Sequence, residues 1–161
     1  MRIPYRVGIG YDTHQLKPGG PLRLGGIDIP AEVELLGHSD ADVLIHAIID
    51  ALLGAAALGD IGDHFPPSDE RYRGIDSGIL LDETLRKIYA AGMDPVQIDA
   101  TIIAEKPKLG AYKRQIADHL ADRMRLPRDC VNIKATTNER MGFLGREEGI
   151  VAQAVALLVQ K

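Results

Sequence analysis

Residues 38–60 read HSDADVLIHAIIDALLGAAALGD, and this stretch carries the most regular apolar pattern of the chain. Its apolar side chains recur at helical spacing as far as Gly59, which predicts a helix. Ser39 is a good N-cap for that helix, and Asp42 follows three residues later, as in a weaker form of the capping box. The acidic side chains of Asp40 and Asp42 also suit the positive end of the helix dipole. The stretch is therefore predicted to be a capped helix, the clearest regular element in the sequence.

Strand-like and helix-like patterns alternate on both sides of this helix. Residues 5–14, YRVGIGYDTH, have strand character because Val7 and Ile9 alternate ahead of the polar residues. Residues 150–159, IVAQAVALLV, fit a helix or a strand, and we favour a strand because several of these side chains are β-branched. The remaining predictions are a short strand bracketed by turns within 18–30, a loop at 60–74, helices within 76–92 and 109–126, strands within 96–107 and 129–139, and a glycine-rich loop at 141–149. This order predicts an α/β fold, an α+β sandwich in which helices cover one face of a small mixed sheet, as a single domain over residues 1–161.

Length and composition narrow the class of protein. The 161 residues suit one domain with a sizeable core, and they are 45% hydrophobic and 26% charged, as in soluble globular proteins. The formal net charge of -4 argues against a nucleic-acid partner, whose phosphates require a basic surface. No apolar run approaches the length that spans a membrane. Cys130 is the only cysteine, which excludes an intrachain disulfide and favours a reducing, cytoplasmic location, with a buried structural thiol as its expected role.

Asp12 and His14 stand two residues apart in the first predicted strand. Side chains at i and i+2 of a strand point the same way, so both could reach one ion. The same two letters are also typical of a surface turn that binds no metal. His46 lies inside the aliphatic helix, where an imidazole needs a polar partner or a metal ion. Asp42 and Asp50 lie one helical turn before and after it, and either carboxylate could orient the ring. A zinc site with three protein ligands and a hydrogen-bonded core histidine both remain open on the residues alone.

Other segments have the chemistry to bind an anion. His38 and Ser39 lie at the start of the predicted helix, where free N–H groups and the dipole favour a phosphate, although N-capping by Ser39 needs no ligand. Residues 134–139, KATTNE, place hydroxyls and a cation after a strand, and Glu139 could hold a hard cation such as Mg²⁺ between phosphates. Residues 104–112, AEKPKLGAY, form a loop whose backbone could read the edge of a base. Each of these segments, taken alone, is more typical of a helix cap, a polar strand end or a turn than of an anion site.

Together these motifs closely resemble the 2-C-methyl-D-erythritol 2,4-cyclodiphosphate synthase family of the non-mevalonate isoprenoid pathway. The matching strings are GIGYDTH, LLGHSDADVLIHAIIDALLGAAALGDIGDHFP, IIAEKPKL, NIKATTNERMGFLGREEGI and AVALL, which run essentially end to end. The string from His38 to Gly62 is the most specific of them. The resemblance implies an enzyme, a phosphorus–oxygen lyase, that cyclises 4-diphosphocytidyl-2-C-methyl-D-erythritol 2-phosphate to 2-C-methyl-D-erythritol 2,4-cyclodiphosphate and releases CMP.

The resemblance also implies an assembly and its cofactors. The assembly is a homotrimer in which each active site lies between adjacent subunits and the neighbouring chain contacts the cytosine. The implied cofactors are Zn²⁺, held by Asp12, His14 and His46, and a second divalent cation, Mg²⁺ or Mn²⁺, held at Glu139 between the phosphates.

Substrate-contacting positions follow from the same resemblance. His38 and Thr137 match the positions credited with transition-state stabilisation. Phe143 and Arg146 match the trimer-axis pocket that binds isoprenoid diphosphates in some members. The positions matched to the substrate lie around the metal, on a loop beside the methylerythritol, and around the cytidine diphosphate: Asp12, Thr13, His14, His38 and Ser39; Asp60, Ile61, Gly62, Phe65, Pro66, Pro67, Ser68 and Asp69; Ala104, Glu105, Lys106, Pro107, Lys108, Leu109, Gly110, Thr136, Thr137, Asn138 and Glu139.

The chain departs from the family pattern at particular positions. Asn138 stands where many members carry a third threonine, and Pro67 stands where many carry an aspartate. Asn138 still offers a donor and an acceptor, so we expect little change there, whereas Pro67 changes what that loop offers the substrate. Two other functions would use the same residues. One is a metal-dependent phosphohydrolase with water as the nucleophile, and the other is a non-catalytic binder of isoprenoid diphosphate around Phe143 and Arg146.

Overall fold

The computed structural model describes residues 3–161, and strands and helices alternate along them. The strands are β1 (Tyr5–Pro18), β2 (Leu22–Leu24), β3 (Ile27–Ile29), β4 (Val33–Leu36), β5 (Met93–Ile103), β6 (Val131–Thr136) and β7 (Gly149–Gln160). The α-helices are α1 (Val43–Ala56), α2 (Ile61–His64), α3 (Ser77–Ala90), α4 (Lys113–Met124) and α5 (Gly142–Gly145), and 3-10 turns lie at Glu70–Tyr72 and Arg128–Cys130. Among these described residues, no helix has both the length and the apolar character needed to cross a lipid bilayer.

Five of the strands form one sheet in the order β4-β1-β7-β5-β6. Neighbouring strands are antiparallel except for β5 and β6, which run parallel, so the sheet is mixed. Helix α1 lies against β1 and β7, while α3 contacts β5 and α4 contacts β6. The opposite face of the sheet leaves Tyr5, Val7, Ile9, Tyr11 and Val155 exposed in the single chain. The prediction of a mixed sheet combined with covering helices is therefore confirmed.

Gly8 and Gly10 allow β1 and α1 to approach closely. A Cβ atom on Gly10 would lie 1.8 Å from the carbonyl oxygen of Ala47, and one on Gly8 would lie 2.1 Å from that of Ala51. No side chain fits in that space, so the helix backbone packs directly on the strand backbone. Residues of the other parity, such as Ile9, point to the open face of the sheet. The alternation that predicts this strand thus places its small residues, and not its large ones, against the helix.

Helix α1 is shorter than predicted and has a different cap. Its N-cap is Asp42, whose carboxylate accepts a hydrogen bond from the N–H of Ile45 at 3.1 Å. That carboxylate is wholly buried, and it also accepts from two backbone N–H groups in the turn between β2 and β3. The prediction that Ser39 caps the helix is therefore wrong, because a buried carboxylate with three N–H donors starts the helix later in the chain. The helix ends at Ala56, before the predicted limit at Gly59.

Other differences arise where short elements lie inside turn-rich stretches. The segment 18–30 contains two paired strands, β2 and β3, where a single strand was predicted. The predicted loop 60–74 contains α2 and a 3-10 turn, and the glycine-rich loop 141–149 contains α5. The final stretch is a strand, as favoured, and it lies between β1 and β5 as β7. Cys130 is half-buried in a 3-10 turn, so the prediction of a buried thiol is wrong.

Candidate functional site

Asp12, His14 and His46 come together between β1 and α1. Asp12 Oδ2 lies 2.9 Å from His14 Nε2 and 3.1 Å from His46 Nδ1. The two imidazole nitrogens lie 3.2 Å apart. One potential ligand atom from each of the three residues lies within 4.8 Å of the others, a spacing at which they could share a divalent ion. The structure thus brings together the three residues that the sequence motifs single out, and we call this cluster the triad.

Charge and hydrogen bonding suit the triad to cation binding. Burial raises the pKa of the Asp12 carboxyl, but hydrogen bonds and charge from His14 and His46 outweigh burial and lower that pKa to about 2. Burial likewise lowers the pKa of His14, and its hydrogen bond to Asp12 overcomes this effect and raises it. His14 Nδ1 lies 2.9 Å from the carbonyl oxygen of Leu36, which can only accept, so Nδ1 carries a proton. Nε2 donates to Asp12 Oδ2, and a bound divalent ion would displace that proton and take the lone pair of Nε2. A carboxylate oxygen and an imidazole lone pair are both donors that a divalent metal takes.

The groups that orient His46 differ from those predicted. Asp42 caps α1, and Asp50 accepts a hydrogen bond from the N–H of Ile61 at 2.8 Å, so neither carboxylate reaches the imidazole ring. His46 Nε2 instead lies 2.8 Å from the hydroxyl of Ser77 and 3.1 Å from that of Ser39. Ser77 begins α3, and no local motif connects it with the helix that carries His46. The prediction that Asp42 or Asp50 orients the ring is therefore wrong.

The triad lines a cavity of about 240 Å³. The cavity is lined by Asp12, His14, His38, Ser39, His46, Ile61, Gly62, Phe65, Pro67, Tyr72 and Leu80. His38 Nε2 lies 3.3 Å from the carbonyl oxygen of Asp69, which connects the start of α1 with the segment after α2. Tyr72 and Leu80 were not predicted, and the Tyr72 ring packs edge-on against Phe65 with 5.5 Å between centroids. Residues predicted around the metal and on the methylerythritol side therefore share one cavity.

Some residues predicted for this group do not line that cavity. They are Thr13, Asp60, Pro66, Ser68 and Asp69. The hydroxyl of Thr13 donates to the carbonyl oxygen of Ile150 at 3.3 Å. Asp60 is the N-cap of α2, and the carboxylate of Asp69 pairs with Arg71 at 2.6 Å. These three side chains have partners within the chain, and their roles as substrate contacts stay predictions.

Two further cavities join the segments that follow β5 and β6. These strands are parallel neighbours, so their carboxyl ends lie at the same edge of the sheet. The first cavity, of about 380 Å³, is lined by Ala104, Pro107, Lys108, Leu109, Gly110, Lys113, Ala135, Thr136 and Thr137. The second, of about 590 Å³, is lined by Glu105, Lys106, Lys108, Thr137, Glu139, Arg140, Gly145 and Glu147. Of the residues predicted on the cytidine diphosphate side, all but Asn138 line one of these two cavities. Lys113, Arg140 and Glu147 line them as well, although no role was predicted for these three.

Glu105, predicted only as a substrate contact, also has a structural role. Its Oε1 accepts hydrogen bonds from the backbone N–H groups of Asn138 and Arg140, each at 3.0 Å. Glu139 and Arg140 both have left-handed backbones, with φ of 52° and 60°. That conformation is costly for residues with a Cβ atom and requires support from its surroundings. The Glu105 carboxylate therefore holds the turn that carries Glu139.

The complete predicted site is not assembled within residues 3–161 of one chain. His38 and Thr137 line different cavities, and the cavity of the triad shares no lining residue with the two beside β5 and β6. Phe143 and Arg146 line none of these three cavities. Phe143 is exposed, and Arg146 pairs with Glu148 at 3.2 Å.

Known proteins match nearly the whole of this chain. The model of the YgbB family matches residues 5–159. The chain belongs to the YgbB family. The 2-C-methyl-D-erythritol 2,4-cyclodiphosphate synthase of Bordetella petrii is 54% identical over 160 residues, which cover 99% of this chain and 99% of that protein. The protein of the same name from Dechloromonas aromatica is 55% identical over 154 residues, which cover 96% of each.

Solved structures share the fold of this YgbB-family chain. The bifunctional IspDF from Campylobacter jejuni has a TM-score of 0.94 and 36% identity, over 98% of this chain and 42% of that longer one. A 2C-methyl-D-erythritol-2,4-cyclodiphosphate synthase in a CDP-bound form has a TM-score of 0.88 and 40% identity, over 95% of this chain and 99% of that one. The family resemblance predicted from the sequence motifs is confirmed.

Proposed function

We propose that this chain converts 4-diphosphocytidyl-2-C-methyl-D-erythritol 2-phosphate into 2-C-methyl-D-erythritol 2,4-cyclodiphosphate and releases CMP. The observation that carries the proposal is the convergence of Asp12, His14 and His46 in a cavity that His38 and Ser39 also line. Relatives that match nearly the whole chain bear the name of this synthase. By this reaction the chain would be a phosphorus–oxygen lyase. The chain would act as a single domain over residues 1–161 in the cytoplasm.

The proposed reaction is an intramolecular phosphoryl transfer. An oxygen of the substrate's 2-phosphate attacks the β-phosphorus of its own diphosphate. The bond between that phosphorus and the bridging oxygen breaks, and CMP leaves with the oxygen and the electron pair. Because the nucleophile and the leaving group belong to one molecule, the protein's task is to hold the two ends in line and to neutralise charge.

The triad would hold Zn²⁺ in this proposal. Two imidazole nitrogens and one carboxylate oxygen are donors that zinc accepts, and a set of three protein ligands leaves a fourth position open. Zinc held there supplies Lewis-acid stabilisation of phosphate oxygens. Glu139 would hold a second divalent cation, Mg²⁺ or Mn²⁺, because a carboxylate oxygen suits these hard ions.

Other residues of the chain would orient the substrate. The imidazole of His38 would donate a hydrogen bond to a phosphate oxygen beside the triad, and the hydroxyl of Thr137 would do the same on the diphosphate. Backbone groups between Ala104 and Gly110 would receive the cytosine, since the 380 Å³ cavity lies between that loop and β6. Fixed donors around the phosphates are the means by which a protein stabilises charge that develops in the transition state.

A homotrimer with sites between its subunits would complete this arrangement. His38 and Thr137 line separate cavities in one chain, and a neighbouring chain could bring its Thr137 cavity beside the triad. The exposed apolar face of the sheet, on which Ile9 lies, suits contact with further copies. An isoprenoid diphosphate bound at Phe143 and Arg146 on the trimer axis is part of the same proposal.

A product assay tests the proposed function. With purified protein, Zn²⁺ and Mg²⁺, we expect CMP release that a chelator abolishes. Asp12→Ala and His46→Ala should each reduce turnover by at least roughly 100-fold, because the proposed zinc ligands are lost. Asp129→Ala, which removes a carboxylate remote from the triad, is the matched control and should keep native turnover.

The products separate this function from its rivals. Phosphorus NMR should show a cyclic diphosphate, whereas a linear bisphosphate would identify a phosphohydrolase. Tight binding of isoprenoid diphosphate with no turnover would identify the non-catalytic binder. Unchanged turnover in both triad variants would overturn the proposed mechanism.

A further inference from the structure

The two ring nitrogens of His46 face different groups. Nδ1 faces the triad, at 3.1 Å from Asp12 Oδ2 and 3.2 Å from His14 Nε2. Nε2 points away from the triad and lies 2.8 Å from the hydroxyl oxygen of Ser77 and 3.1 Å from that of Ser39. Only one of these nitrogens carries a proton in the neutral ring, so the group facing Nε2 decides whether Nδ1 offers a lone pair.

Ser77 has already committed its hydroxyl proton elsewhere. Its Oγ–H donates to Oδ1 of Asp40 in a short hydrogen bond, and its backbone N–H donates to Oδ2 of the same carboxylate at 3.0 Å. The hydroxyl can therefore only accept from His46, so Nε2 of His46 must carry the proton. Ser77 is wholly buried, so no bulk water competes for its hydroxyl.

Other contacts keep Asp40 in place for this task. Its Oδ1 also accepts from the backbone N–H of Asp42 at 3.1 Å, and Arg23 Nε lies 3.9 Å from its Oδ2. The carboxylate thus accepts from three donors and lies beside a positive charge. These contacts hold it where it accepts the hydroxyl proton of Ser77.

We propose that Asp40 and Ser77 are positioning residues that make His46 a metal ligand. A chain of hydrogen bonds, which we call the relay, runs from the Asp40 carboxylate through the Ser77 hydroxyl to Nε2 of His46. It leaves the lone pair of Nδ1 facing Asp12 and His14. The inference rests on the proposed metal site and adds two residues, one just before the N-cap of α1 and one at the start of α3, that act on the metal only through the imidazole. Groups that orient a metal-binding histidine in this way raise metal affinity.

Zinc affinity is the first measurement. Ser77→Ala removes the hydroxyl but keeps the backbone N–H that Asp40 accepts. Measured by competition with a chromophoric chelator, the dissociation constant of the Ser77→Ala chain for Zn²⁺ should rise by about 10- to 100-fold. Thr84→Ala is the matched control. It removes another buried hydroxyl of α3, one that donates to the carbonyl of Leu80, and it should leave zinc affinity unchanged.

The tautomer of the metal-free chain is the second measurement, because zinc on Nδ1 would by itself place the proton on Nε2. In the metal-free native chain, proton–nitrogen correlation spectra of the neutral His46 ring should show a proton on Nε2 and none on Nδ1, whereas Ser77→Ala should show some of the ring protonated on Nδ1. A proton on Nδ1 in the native chain would overturn the relay. Asp40→Asn should weaken zinc binding in the same direction as Ser77→Ala, because the N–H and the O–H of Ser77 donate to different oxygens of Asp40 and one of these becomes an NH₂ group that cannot accept.

The outcomes distinguish this inference from the proposed metal site. If His46→Ala leaves zinc affinity unchanged, the metal site itself fails and the relay fails with it. If His46→Ala abolishes binding but Ser77→Ala and Asp40→Asn stay within about twofold of the native chain, the metal site stands and the relay is overturned. Should Ser77→Ala not fold by circular dichroism, the Asp40→Asn affinity and the tautomer decide.

Discussion

At the scale of single residues, Gly10 sets the distance between strand and helix. A methyl group at this position would overlap the carbonyl oxygen of Ala47, at 1.8 Å, and neither backbone can yield without moving α1 off β1. Gly54 lies in α1 itself, and a Cβ atom there would meet only the carbonyl oxygen of Ile9, at the ordinary contact distance of 3.9 Å. The same chemical change therefore has opposite consequences at the two positions.

We expect Gly10→Ala to lower the free energy of unfolding by roughly 3 kcal/mol or more, because overpacked backbone must separate. Gly54→Ala should raise it by up to about 1 kcal/mol, because alanine is the better helix former. Urea denaturation of both variants measures the difference. A Gly10→Ala chain as stable as the native one would show that α1 does not pack directly on β1.

Local periodicity made the triad a candidate site, and the family resemblance singled out its three residues. Asp12 and His14 share one side of a strand through the period of two, whereas the packing of the helix that carries His46 on that strand is seen only in the structure. The partners of His46 were not predictable in the same way. Ser77 is 31 residues from His46 and 37 from Asp40, and only the packing of α3 beside α1 brings them together. The choice of Asp42 as the N-cap also depends on a distant contact, with the β2–β3 turn.

At the scale of elements, the turn after β6 depends on one side chain from the end of β5. Glu105 accepts hydrogen bonds from the N–H groups of Asn138 and Arg140. These bonds hold Glu139 and Arg140 in the left-handed backbone conformation, which is costly without such support. Glu105→Ala should speed hydrogen exchange of the Asn138 and Arg140 amides by about tenfold, since each loses its acceptor. Glu105→Gln should retain protection, because the amide oxygen still accepts.

Hydrogen exchange read by NMR checks that prediction, and Glu147→Ala serves as its control. Glu147 lines the same cavity but pairs with Lys106 at 3.1 Å and does not bond the turn. Its removal should leave the exchange of Asn138 and Arg140 unchanged. Equal protection in native and Glu105→Ala chains would contradict the role of Glu105 in holding the turn.

Most long elements were predictable, whereas short ones were not. Helices α1, α3 and α4 and strands β5 and β7 carry sustained periodic patterns, and the prediction of each falls on the observed element to within a few residues. Helices α2 and α5 have four residues each, which is too short for any periodicity. The β2–β3 hairpin was read as one strand because its turn, Gly25–Gly26, separates strands of only three residues.

At the scale of the whole molecule, the face of the sheet opposite the helices stays uncovered in the single chain. Val7 and Ile9 are 68% and 72% exposed, and they lie among further exposed apolar side chains on the same face. Scattered exposed hydrophobic residues are normal, but a contiguous apolar patch marks an interaction surface. This face therefore supports the proposed association of three copies.

We expect light scattering to report the mass of three chains for the native protein and of one chain for Ile9→Asp, because a charge cannot be buried unpaired at the interface. Ile79→Asp is the control. Ile79 is also more than half exposed, but it lies on α3, so its replacement should leave the mass unchanged. A native chain that runs as a monomer would contradict the proposed trimer.

The position of the triad has a consequence for the lifetime of the protein. Asp12 and His46 lie 34 residues apart, on a strand and on the helix packed against it. An ion shared by them would close that stretch of chain as a removable cross-link, and the free energy of binding would add to the stability of the fold. Molecules that had not yet acquired the ion would open more often and would be the first to be degraded. The supply of metal in the cell would then determine how many copies persist, in addition to how fast each one works.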